Sequence, residues 1–352
     1  MKLIKYSVKL SSIIVILLVL VFPSCKTISS VQFQSLEAPH IILPADLSRI
    51  GFVARDQYFP SDSVSQYYSV NKVVIKDSID QTKNMPLNSY QGFVENMSEF
   101  WIQDSIPFVR LPKRIMPDTI RYFEPLSWEK AKSICKENQV DVLVVLENIS
   151  AFTKHDIVEG DSYWAENEIQ YQGIWRIYDP LYEKIYDERV IDDSLFMEVS
   201  DVNLKRLINE KIPSREEMMN EAAYELGKEY VELISPKWVD VSRNYFVSGD
   251  KRLSSALYFM KKEEFDTAIN IWKSLTTEKH MKLAGRAAYN LAVVYEMKGD
   301  LKNAKGWIRK AIYFYKKMKK LPNEYKEIEA YALILDSRWL NGMKIKRFFG
   351  EE

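Results

Sequence analysis

Residues 140–149 read VDVLVVLENI, and the five consecutive apolar residues Val142–Leu146 decide the fold class. A strand with one wet face alternates apolar and polar side chains. A run that is apolar on both faces belongs to a central strand covered on both sides. The stretch before it, SWEKAKSICKENQ (127–139), has helical spacing, with Ser127 placed to cap the helix and Lys130 three positions on. Helix followed directly by buried strand is a local αβ unit.

Reading outward from that unit, Ala151–Val158, Glu166–Ile177 and Lys184–Ile191 are expected as further strands, with Asp179-Pro180 as a turn. Pro213–Ile234 is expected as a helix with Ser214 as N-cap, Glu216 and Glu217 in its first turn and Pro236 beyond its end. Towards the N-terminus, a first strand is expected around Arg49–Ala54. Ser69–Asp77 is expected as an edge strand, and Phe108–Leu111 as a short strand closed by Pro112. Tyr90, Phe93, Val94, Met97, Phe100 and Trp101 form one apolar stripe at helical spacing. These elements define a mixed α/β domain over 41–238.

After Ser248-Gly249 everything to Trp339 has helical spacing. Ala256, Phe259, Phe265, Ala268 and Trp272 recur 36 residues later as Ala292, Tyr295, Leu301, Ala304 and Ile308. Leu291, Ala292, Tyr295, Gly299, Ala304 and Ala311 fit the pattern of a tetratricopeptide unit, in which small residues sit where paired helices cross and large ones fill between them. Gly299 falls at a turn, where its conformational freedom is useful; Glu263 stands at the equivalent place in the first unit. The segment 249–340 therefore resembles two tetratricopeptide-like units, roughly 249–282 and 285–318, closed by a capping helix at about 323–339. The resemblance implies partner binding in a groove or scaffolding, with intramolecular docking as an alternative for so short an array. The expected fold class is thus an α/β domain with a mixed sheet followed by an all-α tetratricopeptide-like helical repeat domain.

The chain opens MKLIKYSVKLSSIIVILLVLVFPSC. Lys2, Lys5 and Lys9 precede ten apolar residues, Ile13–Phe22. Ten is too few to span a bilayer, which takes about 20, and suits the core of an export signal. Small Ser24 before Cys25 resembles the lipobox of bacterial lipoproteins, although Phe22 and Pro23 depart from its usual residues. The resemblance implies that residues 1–24 are removed and that Cys25 is acylated, anchoring the protein to a membrane. Several acyl chains together anchor stably where one does not. Residues 25–40 lack periodicity and are expected to be a tether. No acidic run follows Cys25, so the expected address is the outer membrane, facing the periplasm.

Two further resemblances bear on architecture. The block SWEKAKSICKENQVDVLVVLENISAF (127–152) is similar to periplasmic lipoprotein domains of the curli-secretion and Tol-associated type. The stretch ISPKWVDVSRNYFVSGDKRLSSALYFMKKEEFDTAINIWKSL (234–275) resembles a Gram-negative lipoprotein family with an α/β domain and a C-terminal tetratricopeptide-like segment. That family carries no assigned activity.

Composition excludes several function classes. Forty-nine basic residues balance forty-nine acidic ones, so the strongly basic footprint of a nucleic-acid-binding domain is absent. With Cys25 acylated, Cys135 is the one remaining thiol and no intramolecular disulfide can form. Its amphipathic setting implies a buried, inert group. His40, His155 and His280 are dispersed, and no HExxH, CxxC, GxSxG, GxGxxG or Walker-type loop occurs. No metal or cofactor is expected. A Ser-His-Asp triad stays open, because its members can lie far apart in sequence.

Charge is segregated. Residues 156–201 hold thirteen acids against Arg176, Lys184 and Arg189. Within them Asp156, Glu159 and Asp161 lack calcium-loop spacing and are expected at a solvated hairpin tip. Residues 298–320 hold nine bases against Asp300. The helix GWIRKAIYFYKKMKK (306–320) places Arg309, Lys310, Lys316, Lys317, Lys319 and Lys320 opposite an apolar face of Trp307, Ile308, Ala311, Ile312 and Tyr315. It is expected as a packed helix with a solvated outer face; contact with anionic headgroups is the alternative. The leading functional expectation is a non-enzymatic envelope lipoprotein that binds a protein partner through its helical repeats. The alternatives are a small-ligand binder or enzyme in the α/β domain, near the end of strand 140–149, and a structural component of an envelope secretion assembly.

Overall fold

The computed structural model describes residues 27–58, 66–70, 73–77, 83–97, 99–101, 103, 105–117 and 123–351. In chain order the elements are β1 (Ile28–Glu37), β2 (Ile50–Tyr58), β3 (Gln66–Val70), β4 (Val73–Asp77), α1 (Met85–Glu95), β5 (Phe108–Arg110), β6 (Arg114–Ile115), α2 (Trp128–Asn138), β7 (Val142–Glu159), β8 (Tyr163–Asp179), β9 (Lys184–Asp201), α3 (Arg215–Ile234) and β10 (Lys237–Phe246). Five helices follow: α4 (Lys251–Lys261), α5 (Phe265–Leu275), α6 (Met281–Met297), α7 (Leu301–Lys316) and α8 (Tyr325–Phe348). One unit comprises Leu36–Trp238 with the residues from Gly342 onward. The other comprises Val239–Asn341 with the N-terminal stretch through Ser35. The fold is a mixed α/β domain followed by a helical domain, as the sequence implies.

In the α/β unit, eight strands among the described residues form one mixed sheet. β7 is central: parallel to β2 and β3 and antiparallel to β8, which pairs in turn with β9. Val142, Val144 and Leu146 point into the larger core with Phe52, Trp175 and the α3 residues Leu226 and Tyr230. Leu143 and Val145 point the other way, with Ala131 and Ile134 of α2. Both faces are covered, which is why the run could be apolar throughout. Trp175 stacks on Tyr230 with ring centroids 4.3 Å apart, an arrangement that adds to simple area burial. Ser127 accepts from Lys130 N, and Ser214 with Glu217 forms a reciprocal capping box on α3.

Several boundaries differ from expectation. Ala151–Val158 continues the 140–149 strand without a break, because Leu146 and Asn148 flank a register shift and the ladder resumes beyond it. β8 and β9 are longer than their apolar patterns, since their outer face is polar, and 69–77 is one arm and part of a second, antiparallel hairpin arm. The stripe from Tyr90 to Trp101 is helical only to Glu95. The Asn96 side chain takes the Gly92 carbonyl at 2.9 Å and competes with the next turn. Phe100 and Trp101 instead meet Phe349 and Phe348, at 5.5 and 5.4 Å between centroids.

The largest correction concerns residues 25–40. The described part of that segment, from Thr27 onward, is not a featureless tether: Ile28–Glu37 is a strand that pairs with β10, a second strand the sequence reading left unassigned. Val31, Phe33 and Ser35 turn inward while Ser30, Gln32 and Gln34 turn out. Ile28 and Val31 pack on the core of the helical unit. Alternation this short, with a serine in the inner row and a partner two hundred residues away, is easily mistaken for a linker.

In the helical unit α4 pairs with α5 and α6 with α7. Tyr325, Ile328, Tyr331 and Leu335 of α8 close the core, and α8 runs on past the expected end at Trp339. The expected offset of 36 is matched in backbone conformation: Glu263 (φ 62°) and Gly299 (φ 75°) both take the left-handed conformation at the inter-helix turn. Glu263 adopts it despite its Cβ.

α1 and α3 cross at two glycines. A Cβ on Gly92 would lie 1.9 Å from the Tyr224 carbonyl oxygen, and one on Gly227 would lie 1.9 Å from that of Ser89. Alanine normally stabilises a helix by up to about 1 kcal/mol over glycine. Here overpacking against backbone outweighs that gain. Gly92→Ala and Gly227→Ala should each lower stability by about 1–3 kcal/mol, while Gly306→Ala, which has open space around it, should raise it. Urea unfolding midpoints compared across the three variants check this.

Candidate functional site

In the α/β unit the most chemically distinctive group is Glu147, on β7 at the register shift between Leu146 and Asn148. Alternation from Leu143 and Val145 places its side chain on the face of the sheet that α2 covers, where it is fully buried. Its Oε1 accepts from Tyr178 OH at 2.6 Å and lies 3.1 Å from Arg176 Nη1. Its Oε2 lies 2.5 Å from Arg55 Nη1. Arg55 also donates to the Glu124 carbonyl, and Arg176 donates to Glu188 at 3.0 Å. The Tyr178 hydroxyl accepts from Leu126 N at 3.0 Å, and burial followed by the neighbouring Glu147 pushes its pKa up.

Buried acid, base and phenol together are the usual signature of a reacting site. Here both carboxylate oxygens already hold strong donors. The cluster does what a buried ion pair does structurally: it pins β2, β7 and β8 and the segment before α2 in one register. The small-ligand alternative placed at this end of strand 140–149 therefore meets a filled, satisfied cluster.

Cys135 and His155 are likewise part of the fold. Cys135 is buried, and desolvation, then Asp141 and Asp179, push its thiol up to about 12, so no thiolate forms near neutral pH. His155 is buried with Nδ1 2.6 Å from Asn167 Oδ1. Because Asn167 Nδ2 donates to the Met197 carbonyl at 3.0 Å, its oxygen faces the imidazole, which assigns the proton to Nδ1. Burial holds this histidine below its ordinary pKa and therefore neutral. His280 caps α6 by accepting from Leu283 N, and His40 is exposed. At the β7–β8 tip, Asp156 pairs with Lys154 and Glu159 accepts from Tyr163. A cleft of about 320 Å³ beside Pro236, lined by Glu99, Phe100, Glu232, Lys237 and Trp238, has its Lys237 paired with Glu232 at 2.8 Å.

In the helical unit the residues singled out by spacing meet in one core. Ala256, Ala268, Trp272, Leu291, Ala292, Ala304 and Ala311 are buried there, and Phe259, Phe265 and Tyr295 pack against them. Gly299 lies at the α6–α7 turn. Cys25 lies outside the described residues. The sequence reading missed what occupies the inner face of α6, which is β10. Asn290 grips Phe246 like a neighbouring strand, its Oδ1 accepting from Phe246 N at 2.9 Å and its Nδ2 donating to Phe246 O at 2.8 Å. Arg243 makes a bidentate pair with buried Glu296, both bonds at 2.8 Å, and Tyr331 OH and Arg338 complete that carboxylate's shell. A third cluster joins Arg286 to Glu324, with Tyr315 OH and Lys282. Burial would raise the Glu324 carboxyl, but these donors outweigh it and hold it below its ordinary value. A signal existed in the polar residues Arg286, Asn290 and Glu296 on a helix otherwise suited to burial, but their partners lie tens of residues away.

The architecture is a mixed α/β domain followed by a helical domain, and each contains buried ion clusters. The chain belongs to the family described as Domain of unknown function (DUF8603), matched over residues 61–246; residues 254–337 match a second family, Domain of unknown function (DUF6340). Neither description carries an enzymatic activity. No curated protein matches the chain. Among solved structures, a neuraminyllactose-binding hemagglutinin homolog from Helicobacter pylori is similar over 53% of this chain and 86% of that one, with 9% identity and a TM-score of 0.27. The PelC dodecamer from Paraburkholderia phytofirmans is similar over 59% and 99%, with 9% identity and a TM-score of 0.20. The hypothetical protein CT253 from Chlamydia trachomatis is similar over 52% and 95%, with 10% identity and a TM-score of 0.22.

Removing Glu147 would leave two buried guanidinium groups without their shared counter-charge. Glu147→Ala should cost about 3–5 kcal/mol, whereas the triple change Arg55→Met, Glu147→Met, Arg176→Met should recover most of that loss. Denaturant unfolding followed by circular dichroism measures both.

Proposed function

We propose that this chain is an envelope lipoprotein, anchored through acylated Cys25 to the outer membrane and facing the periplasm, whose tetratricopeptide-like helical unit is a non-catalytic docking scaffold for a protein partner. The repeat reading is supported by the 36-residue offset and by the matching turns at Glu263 and Gly299. The non-catalytic reading is supported by the engagement of Glu147, Cys135 and His155 in the fold.

The observation that carries the docking reading is the two-sided apolarity of α8. A helix that merely closes a repeat array keeps a polar outer face. In α8, Ile328, Tyr331 and Leu335 fill the core, while Leu333 is 72% exposed and Leu340, two turns on, 60% exposed. Ile334 and Trp339 flank this line on its two sides, at 41% and 39% exposure. Clustered exposed side chains of this kind mark contact surfaces in soluble domains. Because β10 fills the inner face of α6, the partner is assigned to α8 rather than to the groove that tetratricopeptide arrays commonly offer.

A photo-crosslinking amino acid placed at Leu333 or Leu340, and at exposed Lys273 as a control, tests this in intact cells. One dominant envelope protein crosslinked from both α8 positions and not from Lys273 is expected, and Leu333→Glu with Leu340→Glu should abolish its co-purification. Crosslinks no different from the control would overturn the docking assignment.

A further inference from the structure

We propose that the lysines at the end of α7, Lys316, Lys317, Lys319 and Lys320, form a surface that seats the helical unit on anionic phospholipid headgroups beside the Cys25 anchor. The orientation in this proposal rests on the lipoprotein reading above; the binding chemistry does not.

Three observations carry it. First, all four side chains are exposed, and among the described residues none lies within salt-bridge distance of an acid. Two earlier lysines of the same basic run are paired, Lys298 with Asp266 at 3.2 Å and Lys305 with Asp336 at 2.7 Å, and Lys310 lies over the Trp307 ring. A cation in the last turn of a helix complements the helix dipole, and that accounts for Lys316. It does not account for Lys319 and Lys320, which lie beyond the Lys317 C-cap.

Second, the lysines are interleaved with amphipathic and apolar groups. Tyr313 is 56% exposed with the Lys317 ammonium 5.2 Å from its ring centroid, and Leu321 is 46% exposed. Aromatic rings with a polar tip favour the headgroup level of a bilayer, so this pattern suits a lipid surface better than a purely ionic contact.

Third, a continuous set of contacts links this end of α7 to the entry of β1. Thr27 O accepts from Val247 N at 3.0 Å. The next residue, Ser248, gives its carbonyl to Arg286 Nη1 at 2.7 Å. Arg286 pairs with Glu324, which accepts from Tyr315 OH, and Tyr315 directly precedes the lysines. Two residues separate Cys25 from Ile28, so with at most about 3.6 Å per residue the anchor reaches roughly 10 Å from the first strand residue. That is about one Debye length at physiological salt. With β1 bonded into the helical unit there is no long spacer between that unit and Cys25. Four lysines on the unit into which that entry is bonded add an electrostatic attachment to the acyl one, each raising partitioning roughly five-fold.

The test uses the chain from Lys26 onward, which lacks the acylated residue, in co-sedimentation with phosphatidylcholine vesicles and with vesicles containing phosphatidylglycerol. The protein should bind only the anionic vesicles, less so as salt rises. Changing Lys316, Lys317, Lys319 and Lys320 together to Gln should lower partitioning by at least a hundred-fold. Changing exposed Lys251, Lys261, Lys262 and Lys273 to Gln, an equal loss of charge, should change it only a few-fold. Equal losses in the two variants, or no binding by the unaltered chain, would overturn the proposal. So would full competition by free inorganic phosphate at matched phosphate concentration, or capture by polyglutamate without any vesicle binding; those outcomes assign the lysines to a small anion or an acidic protein. Metabolic labelling with a fatty acid, compared between the natural chain and Cys25→Ala, tests the anchor separately. Vesicle binding without labelling would retain the surface and remove the lipoprotein reading, and labelling without vesicle binding would do the reverse.

Discussion

The bidentate pair between Arg243 and Glu296 is the constraint on which the helical unit depends. Glu296 sits near the end of α6 with its side chain fully buried, and a carboxylate so placed needs donors on both oxygens. Arg243 brings them from β10, Tyr331 from α8 and Arg338 from the next turns of the same helix. One charge therefore ties the strand to the helix hairpins and to the closing helix. Once β10 is fixed, Asn290 holds Phe246, and β1 has an edge to pair with. The N-terminal stretch becomes part of the helical unit, not a leash attached to it.

This changes what the helices offer to a partner. An open repeat array presents an inner groove, and here β10 fills the inner face of α6 with Tyr245 and Phe246, which leaves two kinds of surface. One is apolar, the Leu333–Leu340 face of α8; the other is cationic, the end of α7. An apolar ridge suits a protein, and a screened array of lysines with Tyr313 suits a lipid surface. The α/β unit offers less: Glu147, Cys135 and His155, the groups most able to do chemistry, are consumed by the fold.

Much of this fold was legible in sequence because its strongest signals are local. The run Val142–Leu146 demanded a strand with two covered faces. Ser127 and Ser214 marked helix starts by a hydrogen bond made within three residues. The 36-residue offset placed Ala256, Ala268, Ala292 and Ala304 in one core, where all four are fully buried. What was not legible depends on partners far apart in the chain. Val31 and Phe33 alternate like a strand, yet only β10, some two hundred residues on, makes them one. The helix through Tyr90 had the right period as far as Trp101, and a single Asn96 side chain ended it early. The Glu147 cluster was invisible for the same reason: Arg55, Glu147 and Arg176 come from three strands, and no spacing announces them. Cys25 lies outside the described residues, so the anchor continues to rest on its lipobox resemblance.

The central claim is that β10 is an integral part of the helical unit, filling the inner face of α6. Native-state hydrogen exchange on the full chain tests it most directly, by comparing the Phe246 amide, which donates to Asn290, with the α6 amides around Leu291 and Ala292. The account predicts that all of them exchange only through one shared opening, with similar protection free energies. Rapid exchange at Phe246 while the α6 amides stay protected would contradict it, because the strand would then be a detachable occupant of a groove that is otherwise open to a partner.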